Sequence, residues 1–490
     1  MKYLLAHDLG TSGDKATLFS TDGELIASSL SSYDTHYFNS NWAEQNAEDW
    51  WNAFCASTSS LIRKSGIDPQ DISGISFSGQ MMGCLCVDRA GDPLRPAIIW
   101  ADMRAREEAA GIAAKISLFD YYKVCGHRIS QSYGLYKFMW IQKNEPEIYE
   151  QTYKTLNAKD FIVLKLTGTF CTDHSDANGC GFFDLKTLDW SDELLSLTDI
   201  DRNKLPDVHP STFIAGTVTD EASEKTGLAK GTPVIIGAGD GVASNVGAGS
   251  ITPGKTFCCL GTSAWITTTA EEHLIDPQMR TVTWAHMIPG LYAPNGTMQY
   301  AGGSLSWLKH TLFPDISYDD INTEAAKSSP GSGGLTFLPY LIGERAPRWD
   351  DDAKGCFIGL TPQTSKGDLI RSVLEGVACN LGIILDVLRG SIDVNELTLL
   401  GGGAKSSLWQ QIMADIYDAR ILVPAVLEEA GSMGAAVCAG VGTGVYKDFS
   451  AVDRFLKISS VREPGPDVKQ LYKEVKERFD RYYSALKGSW

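Results

Sequence analysis

The hydrophobic and polar positions at the start of the chain predict an antiparallel β-meander. Apolar runs at residues 3–7 and 15–19 flank a glycine-rich stretch at 8–13, and an Asp-Gly pair at 22–23 precedes a third run at 24–27. Short apolar runs separated by glycine-containing turns are typical of hairpin strands. One carboxylate, two hydroxyls and two glycines therefore fall in or beside the first turn of the predicted sheet.

Helical and extended patterns alternate after this meander. The segment 47–65 predicts a helix, and apolar runs at 72–78 and 98–100 predict strands. Further along, residues 369–388 contain no proline, and their apolar positions recur every three or four residues, which predicts a long amphipathic helix. This order of strands followed by alternating helices and strands indicates a mixed α/β sheet with helices packed on it.

The pattern of the opening recurs midway along the chain. Residues 256–260 and 264–268 predict two strands around a Gly-Thr-Ser turn, and the tetrapeptide Leu-Gly-Thr-Ser occurs at both 9–12 and 260–263. Each copy lies in the turn of a hairpin that opens one half of the chain, which indicates two related domains. We place the domains at residues 1–247 and 248–490.

Composition and charge narrow the possible functions. The chain has 490 residues and a formal net charge of −17, with 43% hydrophobic residues. This length suits two domains, and the acidic balance argues against nucleic-acid binding, which needs a basic surface. There is no signal-peptide pattern and no apolar run long enough to span a membrane. The eleven cysteines are scattered and predict reduced thiols in a cytoplasmic protein rather than disulfides or zinc ligands.

The first turn has the residue types of a phosphate-binding loop. Glycines at 10 and 13 let the backbone present several N–H groups to one anion, and Thr11 and Ser12 add hydroxyl donors. Asp8 at the strand end can hold magnesium directly or through water. The alternative is an ordinary hairpin turn with a β-bulge. The second turn favours the phosphate interpretation, because two facing hairpins can hold two ends of a polyphosphate.

One competing motif is excluded by its context. Residues 249–256 match the P-loop pattern G-x-x-x-x-G-K-[ST]. A functional P-loop follows a strand and opens a helix, whose N-terminus then faces the phosphates. Here a helical segment precedes the match and a strand follows it, so we interpret it as a connecting loop.

Three further glycine-rich segments leave two interpretations open. Asp240 follows the apolar run 234–236 and a Gly-Ala-Gly turn, so it is either a catalytic carboxylate at a strand end or a helix N-cap. The glycines at 401–403 either let a flat ligand such as adenine lie on bare backbone or form a tight strand-to-helix turn. Residues 431–436 are ambiguous in the same way, because their helix can need small residues for close packing.

Taken together, these segments resemble the FGGY family of carbohydrate kinases over essentially the whole chain. Residues 355–375 match the C-terminal signature of the family throughout. Residues 137–144 match the N-terminal signature. The chain departs from that signature at Gly134, where the pattern expects Pro, Ser or Thr. Three further segments are similar to the xylulokinase branch in particular: 41–51, 78–81 and 340–347.

The resemblance implies two ribonuclease-H-like domains, as in actin and hexokinase, that flank a central cleft and close over ATP and a sugar. It implies that Asp240 is the general base and that Asp8 and Asp240 lie at the Mg²⁺ ion. It implies nucleotide contacts at Thr11, Ser12, Lys15, Gly261, Thr262, Gly302, Gly303, Gly402, Gly403 and Ser407. It implies sugar contacts at Gln80, Met81, Met82, Trp100, Asp102 and Asp240.

The implied reaction fits the chemistry of these residue types. A sugar hydroxyl is a weak nucleophile, and a carboxylate within hydrogen-bond reach can orient it and accept its proton as the γ-phosphoryl transfers. The resemblance therefore predicts phosphorylation of a small ketose, first of all D-xylulose to xylulose 5-phosphate. Many xylulokinases have Gln-Met-His-Gly where this chain has Met82, and this change is either tolerated or moves the preference to another ketose or polyol.

Several rival functions remain at this point. Another branch of the family acting on ribulose, glycerol, erythritol or gluconate is the main one. An actin-like or chaperone-like ATPase uses the same nucleotide cradle, but residues 80–83 and Asp240 argue against it. A silent sugar sensor is disfavoured by the intact Asp8, Asp240 and glycine turns. The expected partners are a small sugar and ATP, with no nucleic acid and no membrane, and a homodimer is a family-level expectation.

Overall fold

The computed structural model describes residues 1–490, and most of their strands belong to two seven-stranded sheets. The strands are β1 (Tyr3–Leu9), β2 (Gly13–Ser20), β3 (Leu25–Ser32), β4 (His36–Phe38), β5 (Trp42–Gln45), β6 (Ile72–Gly79), β7 (Leu85–Val87), β8 (Ala97–Ile98), β9 (Lys154–Leu156), β10 (Cys171–Asp173), β11 (Phe183–Asp184), β12 (Asp189–Trp190), β13 (Asp207–His209), β14 (Ile214–Thr217), β15 (Pro233–Ile235), β16 (Ala238–Gly239), β17 (Thr256–Leu260), β18 (Ala264–Thr268), β19 (Val282–Ala285), β20 (Tyr292–Met298), β21 (Thr336–Leu338), β22 (Cys356–Ile358), β23 (Glu396–Leu400), β24 (Arg420–Pro424) and β25 (Ile458–Arg462). The α-helices are α1 (Ala47–Ser65), α2 (Arg106–Ala113), α3 (Leu118–Cys125), α4 (Gly134–Asn144), α5 (Pro146–Gln151), α6 (Ala158–Thr167), α7 (His174–Gly179), α8 (Asp192–Leu195), α9 (Asp220–Thr226), α10 (Asp240–Gly247), α11 (Gly302–Leu312), α12 (Tyr318–Ala326), α13 (Lys366–Arg389), α14 (Ser407–Tyr417), α15 (Ala430–Gly442) and α16 (Lys469–Leu486).

The two large sheets repeat one topology. In the first sheet the order is β14-β15-β6-β1-β2-β3, with β16 also paired to β6, and in the second it is β19-β20-β18-β17-β23-β24-β25. In each, the opening hairpin is antiparallel and its first strand then pairs in parallel with a later one, β1 with β6 and β17 with β23. This repetition confirms the α/β fold of two ribonuclease-H-like domains.

Each sheet is covered by helices whose apolar faces supply its core. The helix α1 begins at an Asn46 N-cap and buries Trp50 and Phe54 against the first sheet. The helix α13 begins at a capping box formed by Ser365 and Asp368 and buries its apolar stripe against the second sheet. Burial of these stripes removes the apolar side chains from water and stabilises both domains.

Two glycine-containing helices pack where the halves meet. A side chain at Gly434 of α15 would collide with the Ala243 carbonyl of α10, and one at Gly247 of α10 would collide with the Ala430 carbonyl of α15. The backbones can approach this closely only because Cβ atoms are absent. The close-packing interpretation of residues 431–436 is therefore confirmed. Gly431 at the start of α15 also lies against Asp8, which brings this helix to the first hairpin.

The predicted elements are confirmed with small shifts. The predicted helix at 47–65 coincides with α1, and the one at 369–388 lies within α13. The predicted strand at 98–100 is wrong in extent, since β8 ends at Ile98 and a turn begins at Trp100. The P-loop-like match at 249–256 runs from a turn into β17 and opens no helix, which confirms that it is a connecting loop.

Candidate active site

Each of the two predicted phosphate hairpins is closed by a hydrogen bond from its glycine N–H to a carbonyl two or three residues later. The N–H of Gly10 donates to the Gly13 carbonyl at 3.0 Å, and the N–H of Gly261 donates to the Ser263 carbonyl at 2.9 Å. In the turns between, the N–H groups of Thr11 and Thr262, and those of the serines that follow them, donate to no protein acceptor. Unpaired N–H groups on successive turn residues form a cradle for an anion.

Neighbouring segments hold both turns in this shape. Tyr33 donates its hydroxyl to the Gly10 carbonyl at 2.5 Å and its N–H to the Ser12 carbonyl at 3.2 Å. At the second turn, the N–H groups of Gly302 and Gly303 donate to the Gly261 and Thr262 carbonyls at 2.9 and 3.0 Å. These hydrogen bonds occupy the carbonyls on one edge of each turn, and the free N–H groups lie on the opposite edge.

The second turn also lies against the predicted nucleoside-binding glycines. A side chain at Gly302 would collide with the Gly261 carbonyl, and one at Gly403 would lie 2.5 Å from Leu260. A side chain at Gly402 would meet nothing within 4 Å, because that glycine faces open space. Ser407 is exposed at the first position of α14, directly behind this turn. The predicted nucleotide positions of the second domain are therefore brought together in one place.

Asp8 lies at the end of β1 with one carboxylate oxygen held. Ser78 on the adjacent β6 donates its hydroxyl to Asp8 Oδ1 at 2.6 Å, which leaves Oδ2 free. Burial raises the pKa of Asp8, and this effect outweighs the hydrogen bond from Ser78 and the charge of Lys15, which lower it. A divalent cation would relieve this cost, and magnesium is usually held by one or two carboxylates together with phosphate oxygens.

Asp240 is the first residue of α10, and the N-cap is Gly239. The N-cap interpretation of Asp240 is therefore wrong. Its side chain is exposed to the cleft, and Oδ1 accepts only the N–H of Gly241 at 2.7 Å. Burial at the cleft floor and then the charge of Asp8 raise the pKa of Asp240 to about 7. Solvent reaches the carboxylate from the cleft while protein surrounds it elsewhere, so exposure and a raised pKa occur together.

Asp240 lies between the two domains. Burial and then the charge of Asp240 raise the pKa of the Cys259 thiol to about 12, which places this strand residue of the second domain near the carboxylate. Cys259 is two residues before Gly261, so β17 carries the second hairpin to the same side. Gly239 packs against Met81, where any side chain would collide with the thioether. Asp240 thus directly follows a residue that contacts the predicted sugar segment, residues 80–83, and its carboxylate lies near the strand that leads to the second predicted phosphate turn.

The sugar segment is tied to the first hairpin by hydrogen bonds. Trp100 donates its indole N–H to the Thr11 hydroxyl at 2.9 Å. Gln80 donates to Gln45 at 2.8 Å, and Gln45 in turn donates to the Thr11 carbonyl at 2.6 Å. The carbonyl oxygen of the Gln80 side chain is buried and has no partner, so it is available to a ligand hydroxyl.

Met82 adopts an unusual backbone conformation in this segment. Its φ is +63°, in the left-handed region that non-glycine residues rarely adopt. The buried ammonium of Lys137 holds the Met82 carbonyl at 2.8 Å, together with the carbonyls of Ile99 at 2.8 Å and Ser132 at 2.6 Å. Sequence reasoning did not single out Lys137, although it lies in the N-terminal signature. Its position beneath both Met82 and the Trp100 segment shows how the pocket is held.

Two predicted contact residues are engaged elsewhere. Asp102 is fully buried, and its carboxylate accepts from the Ala43 N–H at 2.6 Å and from the Arg104 guanidinium at 2.7 Å. The ammonium of Lys15 lies 3.0 Å from Glu429 and donates to the Glu428 carbonyl at 3.1 Å. The structure therefore does not bring the Asp102 carboxylate to the cleft, and it gives Lys15 a contact between the two domains.

A wide groove elsewhere on the surface takes no part in this site. It has a volume of about 710 Å³, and its lining includes Arg348 and Lys476, which are paired with Asp480 at 2.7 Å and Asp386 at 2.5 Å. None of the predicted site residues lines it. The groove therefore does not compete with the cleft as the place of chemistry.

Comparisons with known proteins agree with this site. Residues 3–247 match the N-terminal domain model of the FGGY family of carbohydrate kinases, and residues 256–443 match its C-terminal domain model. The chain is 32% identical to a xylulose kinase of Staphylococcus epidermidis over 488 residues, covering 99% of this chain and 97% of that protein. It is also 32% identical to a gluconokinase of Bacillus subtilis over 489 residues, covering 96% and 94%.

A solved structure of a sugar kinase has the same fold as this chain. The structure of a ligand-bound xylulose kinase from Lactobacillus acidophilus superposes with a TM-score of 0.95 at 29% identity, covering 100% of this chain and 99% of that one. No helix of this chain is both long enough and apolar enough to cross a membrane.

Proposed function

The chain belongs to the FGGY family of carbohydrate kinases, and from this premise we propose that it transfers the γ-phosphoryl group of ATP to a hydroxyl of D-xylulose. That the chain is a sugar kinase follows from its family. The observation that carries the proposal is the position of Asp240. Its carboxylate is open to solvent and lies near β17, which leads to the second predicted phosphate turn, and the preceding Gly239 packs against Met81 of the sugar segment.

The residues around the cleft have distinct tasks in this reaction. The ionised Asp240 accepts the proton of the attacking hydroxyl at its free oxygen. The unpaired N–H groups of Thr11 and Thr262, with those of the following serines, bind the phosphate oxygens. The Gln80 carbonyl oxygen accepts from a second sugar hydroxyl. Mg²⁺ would be held by Asp8 and Asp240 and would neutralise phosphate charge when bound. Closure of the domains would exclude water, to which the phosphoryl group would otherwise transfer.

The glycines fit a nucleotide in the second domain. Gly402 faces open space, whereas side chains at Gly302 and Gly403 would collide with the Gly261 carbonyl of the second turn and with Leu260 before it. Bare backbone at these positions would allow the nucleoside to lie close to the chain. The ribose and base would therefore lie beside α11 and α14, with the phosphates directed to the two hairpins.

Gluconate is the second candidate substrate. A gluconokinase relative is as similar to this chain as the xylulose kinase relative is, and each is matched over nearly its full length. Met82 is the feature of this chain that supports gluconate, because its thioether is a weaker hydrogen-bond acceptor than the histidine that many xylulokinases have here. The other sugars and polyols named above follow behind these two.

A substrate panel tests the proposed function. Purified protein with Mg-ATP is incubated with D-xylulose, gluconate, D-ribulose, glycerol and erythritol, and ADP release is measured for each. We expect the largest kcat/KM with D-xylulose. A larger value with gluconate would move the substrate but retain the kinase. No stimulation by any of these compounds would contradict the proposed function.

Met82→His should shift preference toward xylulose. Histidine tolerates the left-handed backbone of this position better than most residues, and its ring can hydrogen-bond a sugar hydroxyl. We expect the ratio of kcat/KM for D-xylulose to that for gluconate to rise about tenfold or more. Met82→Leu, which has similar volume and no polar atom, is the matched control. An unchanged ratio in Met82→His would exclude this position as a determinant of specificity.

The pH dependence of turnover should report Asp240. Its pKa is raised to about 7, and only the ionised carboxylate can accept the proton, so kcat/KM for the sugar should rise with pH through about 7 and then level off. The measurement is kcat/KM between mildly acidic and mildly alkaline pH with Mg-ATP saturating. A value that does not change across this range would argue against a base with a raised pKa.

A further inference from the structure

We propose that Ser175 is a positioning residue for Asp240 and acts through a hydrogen bond to the backbone of Gly239. The proposal rests on the proposed function, because it assigns a role in the same reaction. Ser175 lies in α7, 65 positions before Asp240 in the chain, and it touches neither sugar nor nucleotide in the role assigned to it.

The contact is a single chain of directed hydrogen bonds. The N–H of Gly239 donates to Ser175 Oγ at 2.9 Å. The hydroxyl of Ser175 donates to Asp173 Oδ2 at 2.6 Å. Because the hydroxyl proton is committed to Asp173, a lone pair of the serine oxygen is turned toward Gly239. Ser175 and Asp173 are fully buried, so water does not compete for either bond.

Asp173 is itself fixed from several sides. It is the N-cap of α7 and accepts the Ser175 N–H at 2.9 Å. The buried ammonium of Lys159 lies 2.9 Å from its Oδ1, and Ser211 donates its hydroxyl to Oδ2 at 3.0 Å. A carboxylate held by so many partners has one orientation, and it passes that orientation to the Ser175 hydroxyl.

Gly239 needs an anchor of this kind because it cannot supply one. N-cap residues usually fix the start of a helix with a side-chain oxygen, and glycine has none. Any side chain at Gly239 would collide with Met81. Position 239, the N-cap that precedes Asp240, is therefore restricted to glycine. Ser175 of α7 supplies the hydrogen bond that holds it.

The same helix also supports the sugar segment. A side chain at Gly179, at the end of α7, would lie 3.3 Å from the terminal methyl of Met81. The stem of Lys159 lies against Gly79, which precedes Gln80, where a side chain would approach it to 3.0 Å. The helix α7 and the Lys159–Asp173 ion pair at its start therefore lie beneath both Asp240, the proposed base, and the residues assigned to the sugar.

The matched variants are Ser175→Ala and Ser211→Ala. Both remove a buried hydroxyl that donates to the same oxygen of Asp173, but only Ser175 also holds the Gly239 N–H. In Ser175→Ala we expect kcat to fall at least about tenfold, because small displacements of a catalytic group reduce its efficiency strongly. We expect KM for sugar and ATP to change less than about twofold, and kcat of Ser211→Ala to fall less than about threefold.

A double-mutant cycle with Asp240→Asn separates positioning from a general structural effect. If Ser175 acts through Asp240, then Ser175→Ala should cause no further loss of kcat in the Asp240→Asn background. Equal losses in the two serine variants, no loss in Ser175→Ala, or additive losses in the cycle would each overturn the proposal.

Hydrogen exchange at Gly239 tests the anchor without turnover. Its amide should exchange faster in Ser175→Ala than in the wild type and in Ser211→Ala, and equal exchange in all three proteins would overturn the proposal. Failure of the proposed function is recognised separately, because the wild type would then release no ADP with any sugar while the exchange result still decides whether Ser175 holds Gly239.

Discussion

Asp240→Asn should lose about 10³-fold in kcat with D-xylulose, since general-base catalysis contributes factors of this order. Asparagine keeps the shape of the side chain but cannot accept the proton of the attacking hydroxyl. The Gly241 N–H, its one hydrogen-bond donor, can still bind an amide oxygen. The measurement is kcat from ADP release with sugar and Mg-ATP both saturating.

The same substitution should not lower the stability of the folded protein, although it lowers kcat. The pKa of Asp240 in the folded chain is about 7, above the value of about 3.9 for an unfolded aspartate. The folded chain therefore binds this proton more tightly, so stability falls as the pH rises from about 3.9 to about 7, and the full cost of ionising Asp240 is present above pH 7. Asparagine removes that cost, so Asp240→Asn should unfold at the same temperature as the wild type or a higher one at pH above 7.

An aspartate of the same half serves as the control. Asp68 is a helix cap and accepts the Gln70 N–H at 3.0 Å outside the cleft. Asp68→Asn should keep wild-type turnover. Near-normal kcat in Asp240→Asn would remove Asp240 as the base, and an unfolded Asp240→Asn protein at neutral pH would contradict the expected sign of its ionisation.

Much of the fold could be predicted because it depends on local patterns. Glycine-containing turns between apolar runs predicted the two opening hairpins, and three- and four-residue spacing predicted α13. The two turns assigned to the phosphates could be predicted for the same reason, since backbone N–H groups become available through local turn geometry. The sequence order also sufficed to reject the P-loop match at 249–256, because the strand follows it.

The parts that sequence could not predict depend on distant partners. Asp102 looks like a ligand residue in a motif, but Arg104 and the Ala43 backbone use its carboxylate. Lys15 looks like a phosphate residue, but Glu429 is more than 400 positions away in the chain and meets it only after folding. The roles of Lys137 and Ser175 depend on the backbone groups that folding brings to their side chains, three carbonyls for Lys137 and the Gly239 N–H for Ser175. No local pattern reveals such a pairing.

Asp8→Asn should lose about 100-fold in kcat, as expected when a residue that supports a metal is removed. The carboxylate is held by Ser78 on one oxygen and is free on the other, and its unrelieved burial raises its pKa. Because an amide is a weaker cation ligand than a carboxylate, half-maximal activity should also require a higher Mg²⁺ concentration. ADP release is measured across a Mg²⁺ titration at fixed ATP.

The same substitution should move the pH profile of the wild type in a defined direction. After burial, the charge of Asp8 is the second cause that raises the pKa of Asp240. Removing that charge lowers the pKa, so the rise of kcat/KM should shift to lower pH in Asp8→Asn. Titration of ATP itself cannot produce this shift, because the nucleotide is the same in both proteins. The shift therefore identifies the titrating group as Asp240.

Ser78→Ala separates the charge of Asp8 from its orientation. This variant keeps the carboxylate but removes the hydroxyl that donates to Asp8 Oδ1 at 2.6 Å. That hydrogen bond lowers the pKa of Asp8, so its loss favours the protonated form. The Mg²⁺ concentration needed for half-maximal activity should therefore rise in Ser78→Ala, but by less than in Asp8→Asn. If the pH profile of kcat/KM for Asp8→Asn coincides with that of the wild type, the two carboxylates do not interact, and Asp8 does not share a cation with the base. A downward shift in Asp8→Asn with a small effect in Ser78→Ala would tie both carboxylates to one site of phosphoryl transfer.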